Sequence, residues 1–473
     1  MDPSLIINSL IAFLNNSSTV QVIVALYTIF GWLILFYLLM YAGVHLFEKY
    51  RQDLNEHSWK FVVLAIDIPL LNVQTPKAVE QMFNHLAGSF DTATFHERFV
   101  EGYKQRWFSF EIISVEGYIQ FLVWTEVAFR DLVEASIYAQ YPEAEIVEVE
   151  DYVQMGPDRF PNAEYDAWMA DFGLAESDAF PIRTYAEFEH NISKDTVLKD
   201  PMGTFLESFT RIGKGEQMWF QILVEPIDGH WKEKAIDKIN EFIGAEKKHA
   251  GHGASFFDSI FKLPMQLFEY FGDQFFSQVM GGEAVAESEK PAEPNQMRYM
   301  TPGQKTLVEA MEKKIAKIGF KTKMRVVYLA KKGTYDLGRG IAAVLGAVSQ
   351  FNIPTANSIV PKQTTKQPSL AKKYRKQNKL LKAYRKRKIK PGGPACILNI
   401  EELATIWHFP MSHVKTPLVQ KAATKQAEPP AGLPVESGFG ETTFGAVETE
   451  TPEIVEPAKK TFTTDTGDVV EYD

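Results

Sequence analysis

Twenty-five consecutive residues, 20–44 (VQVIVALYTIFGWLILFYLLMYAGV), contain no Asp, Glu, Lys, Arg or His. A helix of that length rises roughly 37 Å at ~1.5 Å per residue, enough to cross the ~30 Å hydrocarbon core of a bilayer. A core helix would show a polar face, and a secretory signal would carry a basic start, a shorter apolar run and a small-residue cleavage site. The sequence therefore predicts an N-terminal transmembrane helix over residues 20–44, with Tyr27 and Tyr41 near the interfaces. Asp2 is the only charge before it, while Lys49 and Arg51 follow it. The expected topology is thus single-pass in the cell membrane, with an external lead-in at 1–19 and the bulk of the chain cytoplasmic. The lone cysteine, Cys396, permits no disulfide framework within the chain.

Beyond the apolar run the composition is that of globular protein, 45% hydrophobic and 23% charged. Residues 61–68 (FVVLAIDI) read as a strand, and 77–86 space Val79, Met82, Phe83 and Leu86 at helical intervals. Strands at 108–115 and 118–125 flank Glu116-Gly117, a hairpin turn, and a helix at 128–140 leads to an alternating strand at 144–149. This βαββαβ order predicts a ferredoxin-like module over 45–155. A second series follows, with strands at 185–188, 217–225 and 324–330 and helices at 203–211, 230–243, 301–318 and 341–351. It predicts another such module over 180–361, carrying an insertion at 245–296. The expected fold class is α+β.

The insertion aligns Phe257, Phe261, Phe268, Phe271 and Phe275 on one helical stripe between flexible flanks, a candidate partner-binding face. Packing on its own domain, docking at a membrane interface and self-association into a homo-oligomer all remain open readings. The net charge of −10 is unevenly distributed. Residues 362–390 hold 13 Lys or Arg and no acid, leaving 37 basic against 60 acidic residues elsewhere. In this basic arm, 362–392, Lys372, Lys373, Arg375, Lys376, Lys379, Lys382, Arg385, Lys386, Arg387, Lys388 and Lys390 surround Tyr374, Leu380, Leu381 and Tyr384. Such a run suits nucleic-acid phosphates, bound with counterion release, or anionic lipid. Nothing in it reads base edges, so nucleic-acid binding would be blind to sequence.

Past Pro394, Asn399 caps a short helix with Glu401 and Glu402 in its first turn, and Pro410 ends it, giving a helix-turn segment at 395–418. From 419 to 473 the chain is rich in Pro, Thr and Glu, the composition of a disordered tail. Asn399, Glu401, Glu402, Leu403, Ala404, Trp407, His408, Phe409, Pro410, Lys415, Thr416, Pro417, Pro429, Pro430, Gly440, Glu441, Thr442 and Phe444 form a recognisable pattern. It resembles the segment just upstream of the motor domain in type IV secretion-like DNA-translocating ATPases of prokaryotes, the conjugative coupling class. The resemblance implies the membrane-proximal, non-motor part of such a machine, with Trp407, His408, Phe409 and Pro410 as partner-binding residues and a separate ATPase as motor. No GxxxxGK[ST] loop occurs, so the family's ATP hydrolysis is not implied.

His249 and His252 have no cysteine nearby, and His408 and His413 share no helix face, so no metal site is expected. No motif places a histidine near Cys396, no cofactor signature is present, and no paired carboxylates stand out. The function these features predict is a non-enzymatic, single-pass membrane accessory or scaffold of a type IV secretion-like DNA-transfer or DNA-transport complex. The alternative is a general membrane-associated scaffold whose basic arm contacts only lipid and protein, and an unrecognised hydrolase is a third possibility.

Overall fold

The computed structural model describes residues 18–69, 72–190, 197–198, 200–243, 300–411, 461–463 and 469–471. Helix α1 (Thr19–Glu56) runs unbroken for 38 residues from a capping box between Ser18 and Gln21. Its last turns are charged and docked. Arg98 pairs with Glu48 at 2.6 Å, Lys104 pairs with Glu56, and Gln52 and Asn55 donate to the carbonyls of Tyr103 and Gly102.

The transmembrane helix expected over 20–44 is corrected here. Crossing takes ~20 successive apolar residues. Several side chains of that stretch lie outside the described residues, and from Glu48 onward the helix is charged. Among the described residues no helix is long and apolar enough to cross a membrane. The expected single-pass topology rested on that helix, and the lead-in up to residue 17 lies outside the described residues.

The first half of the sheet-forming region comprises β1 (Phe61–Asp67), α2 (Pro76–Ala87), β2 (Phe108–Val115), β3 (Tyr118–Glu126), α3 (Arg130–Tyr138) and β4 (Glu145–Val149). Glu116 and Gly117 both have positive φ, 53° and 93°, as a two-residue hairpin turn between β2 and β3 requires. The second half comprises β5 (Tyr165–Leu174), a small ribbon of β6 (Glu189–His190) and β7 (Val197–Leu198), α4 (Pro201–Thr210), β8 (Glu216–Pro226) and α5 (His230–Ile243). It continues through α6 (Pro302–Ala316), β9 (Gly319–Lys331), α7 (Ala343–Ser349) and β10 (Ile359–Thr364). Helix α8 (Leu370–Arg385), β11 (Cys396–Asn399) and α9 (Ile400–Ile406) follow. Residues 425–473 form a unit of their own, in which β12 (Thr461–Thr463) pairs antiparallel with β13 (Val469–Glu471). The tail expected to be disordered therefore contains a paired ribbon, and the rest of it lies outside the described residues.

All nine larger strands join one antiparallel sheet in the order β10-β5-β9-β8-β2-β3-β1-β4, with β11 added to β9 where β5 stops. The fold class is α+β. The halves are not separate modules, because β2 and β8 pair along their whole shared length, from Phe108 opposite Val224 to Val115 opposite Gln217. Each half orders its four strands alike, fourth-first-third-second, and the two second strands meet at the seam. Three strands of the sheet, β5, β10 and β11, were hidden in the sequence. Residues 185–188 form a 3-10 turn rather than a strand, and the true first strand of the second half is β5. The edge strand β10 carries Pro361 and a register shift before Gln363.

Both faces of the sheet are covered. Alternate residues such as Leu64, Phe110, Phe121, Phe220 and Val326 meet α2, α3, α4, α7 and α9 on one side. Val63, Ile113, Leu122, Trp219, Leu223 and Leu329 face the other side, where α8 supplies Leu380, Leu381 and Tyr384. Helices α5 and α6 close a smaller cluster of their own around Trp231, Ile239, Val308 and Met311.

Candidate polyanion-binding face

The basic arm is not a free arm. Its helix, α8, buries Gln377, Leu380, Leu381, Ala383 and Tyr384 against the sheet. Lys372, Arg375, Lys379 and Lys382, with Lys386 one turn on, are exposed on the opposite side. Their spacing of three, four, three and four residues draws a single stripe along the helix. Lys376 is half-buried beside it and Lys390 is exposed beyond it.

Four of the eleven predicted cations are engaged elsewhere. Lys373 pairs with Asp166 at 2.7 Å, Arg385 with Asp158 at 2.9 Å, and Lys388 with Glu56 of α1 at 2.9 Å. Arg387 is fully buried, with Glu111 at 2.7 Å on one side and Asp151 at 2.7 Å on the other. Burial opposes its charge, yet the two carboxylates win and hold its pKa well above the ordinary arginine value. Arg387 is therefore an anchor for the end of α8 and not a contact for an external phosphate.

What holds α8 in register is a polar row crossing the sheet. Asp171 of β5, Arg325 of β9, Gln221 of β8 and Glu111 of β2 stand directly opposite one another on successive strands. Arg325 Nε donates to Asp171 at 3.1 Å, its Nη1 to Gln221 at 3.3 Å, and Gln221 Nε2 to Glu111 at 2.9 Å. The remaining guanidinium protons reach the carbonyls of Ala383, Lys388 and Pro391, and Gln221 also donates to Tyr384 O. Lys323 donates to Gly393 O and lies 3.5 Å from Asp171. Burial pushes the pKa values of both Lys323 and Arg325 down, against the pull of Asp171. The turn after α8 is thus sewn to the sheet by its backbone carbonyls. At φ 107°, Gly392 lets the chain pass so close to Asp171 that a Cβ would meet its Oδ2 at 1.8 Å, and Gly393 N donates to that oxygen at 2.8 Å.

The remaining candidates fall elsewhere. Phe257, Phe261, Phe268, Phe271 and Phe275 lie outside the described residues, as do His249, His252 and the resemblance positions from 412 onward. Trp407, His408 and Phe409 are buried and Pro410 is half-buried, in the core rather than on a partner face. Trp407 sits edge-on to Phe110 at 4.9 Å, Phe121 at 5.8 Å and Phe83 at 6.5 Å. His408 donates from Nδ1 to Ala404 O at 2.7 Å, and its Nε2 meets Asp200 at 2.8 Å. Glu402, named above only as a first-turn carboxylate, closes the capping box with Asn399, accepts from Ile182 N at 3.0 Å and pairs with the buried Lys314 at 3.1 Å. Among the described residues no group of His, Cys, Asp and Glu could hold a metal ion. Sequence reasoning missed the polar row itself. Its signal was present as a charged or amide residue set among apolar neighbours in each strand: Asp171 in YDAWMADFGL, Glu111 in FSFEIISV, Gln221 in QMWFQILVE and Arg325 in KMRVVYLA.

No curated protein matches this sequence. The family model described as Domain of unknown function (DUF8128) matches residues 70–422, a span holding the seam, both covering layers and all of α8, so the chain belongs to that family.

Proposed function

We propose that the protein is a non-enzymatic scaffold that binds nucleic acid without sequence preference through the exposed stripe of α8. One observation carries this reading. Lys372, Arg375, Lys379, Lys382 and Lys386 line up over roughly 21 Å at ~1.5 Å per residue, and among the described residues no carboxylate pairs with any of them. A straight row of unneutralised cations on a rigidly seated helix matches the regular charge of a duplex backbone and holds no group that reads bases.

The test is binding of the full-length chain to a fluorescent duplex over a salt series. Five phosphate contacts predict a log–log salt slope of about −4 to −5. Changing the five cations to Gln should remove most of the affinity and bring the slope close to zero, with folding intact. Unchanged affinity and slope would overturn the reading.

Anionic lipid is a second reading, favoured by the ion pair between Lys388 and Glu56. That pair ties the arm to α1, along which Trp32, Phe36 and Leu39 are exposed. Vesicles that compete the duplex away completely would support it. The further proposal, a role in a type IV secretion-like transport complex with a separate ATPase, rests on the resemblance over 399–444. Co-purification of such an ATPase with the tagged chain tests it.

A further inference from the structure

At its C-terminal end the stripe borders a cleft of about 360 Å³, into which Arg159, Lys382, Arg385 and Lys386 converge. Asp158 is the only carboxylate in the lining. Arg385 is poised rather than saturated. It donates to Asp158 at 2.9 Å and to the carbonyls of Gly156 and Pro157 at 3.0 and 3.1 Å, while its buried Nε has no partner. The Asp158 side chain is 98% exposed, so it can leave Arg385 at little cost. No carboxylate pairs with Arg159, Lys382 or Lys386 among the described residues.

Small-ligand sites begin near ~300 Å³ and are mostly apolar. This one has a single apolar lining residue, Leu381, and an excess of cations. It therefore suits a small, dense anion rather than a flat cofactor. A phosphate monoester carries nearly two charges and three terminal acceptor oxygens, and a guanidinium binds such oxygens in pairs. A bridging diester offers half of that charge.

We infer that this cleft binds a phosphate monoester, which takes Asp158's place on Arg385 while Arg159, Lys382 and Lys386 neutralise it. The inference rests on the proposed nucleic-acid reading, in which the ligand is the terminal phosphate of a strand lying along α8. A free phosphomonoester has the same chemistry.

The experiment compares two blunt duplexes, identical except for a 5′-phosphate or a 5′-hydroxyl, on the full-length chain, and adds a calorimetric titration with a free nucleoside 5′-monophosphate. The phosphorylated duplex should bind about tenfold tighter, the worth of one charge-assisted hydrogen bond. Arg159→Gln, at an exposed site, should erase that preference without changing the hydroxyl-ended affinity, and Asp158→Asn should widen it. Equal affinity for both duplexes together with no nucleotide heat would overturn the cleft and leave the stripe standing. A preference that survives Arg159→Gln would also overturn it. Nucleotide binding lost on Arg159→Gln, in a protein that binds neither duplex, would support the cleft with a free ligand and overturn the stripe.

Discussion

The seam between β2 and β8 is closed from both sides, and the two closures use opposite chemistry. On one side α9 drives Trp407 and Phe409 into an aromatic cluster with Phe83, Phe110 and Phe121. On the other, α8 and its following turn are held by Glu111, Gln221, Arg325 and Arg387. Apolar closure is non-directional and scales with the area buried. Ionic closure is directional, and burying the charges costs desolvation that only complete pairing offsets. The apolar side buries Trp407 and Phe409 in the core. The specific side fixes the orientation of a helix whose outer face is basic. The first closure thus supplies stability, and the second supplies register for the exposed basic stripe.

The largest effect should come from the aromatic side. Trp407→Ala leaves a cavity lined by Phe83, Phe110 and Phe121 and should cost about 3–5 kcal/mol, read as a lowered urea midpoint. No second substitution nearby should restore it, because the loss is volume. Arg387→Ala should cost a similar amount, about 3–5 kcal/mol, but for another reason: Glu111 is left buried and unpaired. Here a partner change should rescue. Glu111→Leu combined with Arg387→Met removes the fully buried pair and leaves only the part-exposed Asp151 carboxylate, which water can reach, so the double variant should recover most of the stability lost by the single one. If the double variant is as unstable as the sum of its singles, the ionic closure is not a paired unit and the contrast between the two sides fails.

The fold was legible wherever periodicity was clean. The first half has strands dense in β-branched and aromatic residues and a two-residue turn, so β1 to β4 could be read within a residue or two. In the second half, Asp166, Asp171 and Gly173 break up β5, and Pro361 breaks up β10, so local pattern failed where cross-strand partners decide the structure. The single sheet was illegible for a related reason. Pairing of β2 with β8 joins residues about a hundred positions apart, and no local signal encodes it. Of the site, the density of cations was visible, but not their division into an outward stripe and inward anchors. That division depends on Asp166, Asp158, Glu56 and Glu111, which lie far away in sequence.

A smaller effect separates the two sides by pH. On the α9 side, Asp200 accepts from His408, from Met202 N at 2.7 Å and from Met411 N at 3.0 Å. Burial would raise its pKa, but His408 and the two amides outweigh that and hold it below the ordinary aspartate value. A carboxyl with a lowered folded pKa stabilises fully above its unfolded value, near ~3.9, and loses that contribution as pH falls through the folded one. Glu402 works in the opposite direction, because burial raises its pKa and the folded state then gains on acidification. Urea midpoints followed from about pH 6 down to about pH 3 should therefore show an acid limb that Asp200→Asn flattens. An unchanged limb in that variant would assign acid sensitivity to other carboxylates.

The smallest signal is also the most local. Cys396 opens β11, buried, with its thiol donating to Thr322 O at 3.7 Å. Burial, helped by Asp178, pushes its pKa up to about 12, so almost no thiolate exists near neutral pH and a thiol reagent should react only through opening of the β11–β9 pair. Labelling rate then reports how firmly the chain between α8 and α9 is held. Trp407→Ala should speed labelling, because it loosens α9 directly behind β11. Gln substitutions at Lys372, Arg375, Lys379, Lys382 and Lys386 should leave it unchanged, since the outer stripe takes no part in closure. Faster labelling in the stripe variant would mean that its cations also hold the fold, and a loss of duplex binding could then no longer be read as loss of contacts alone.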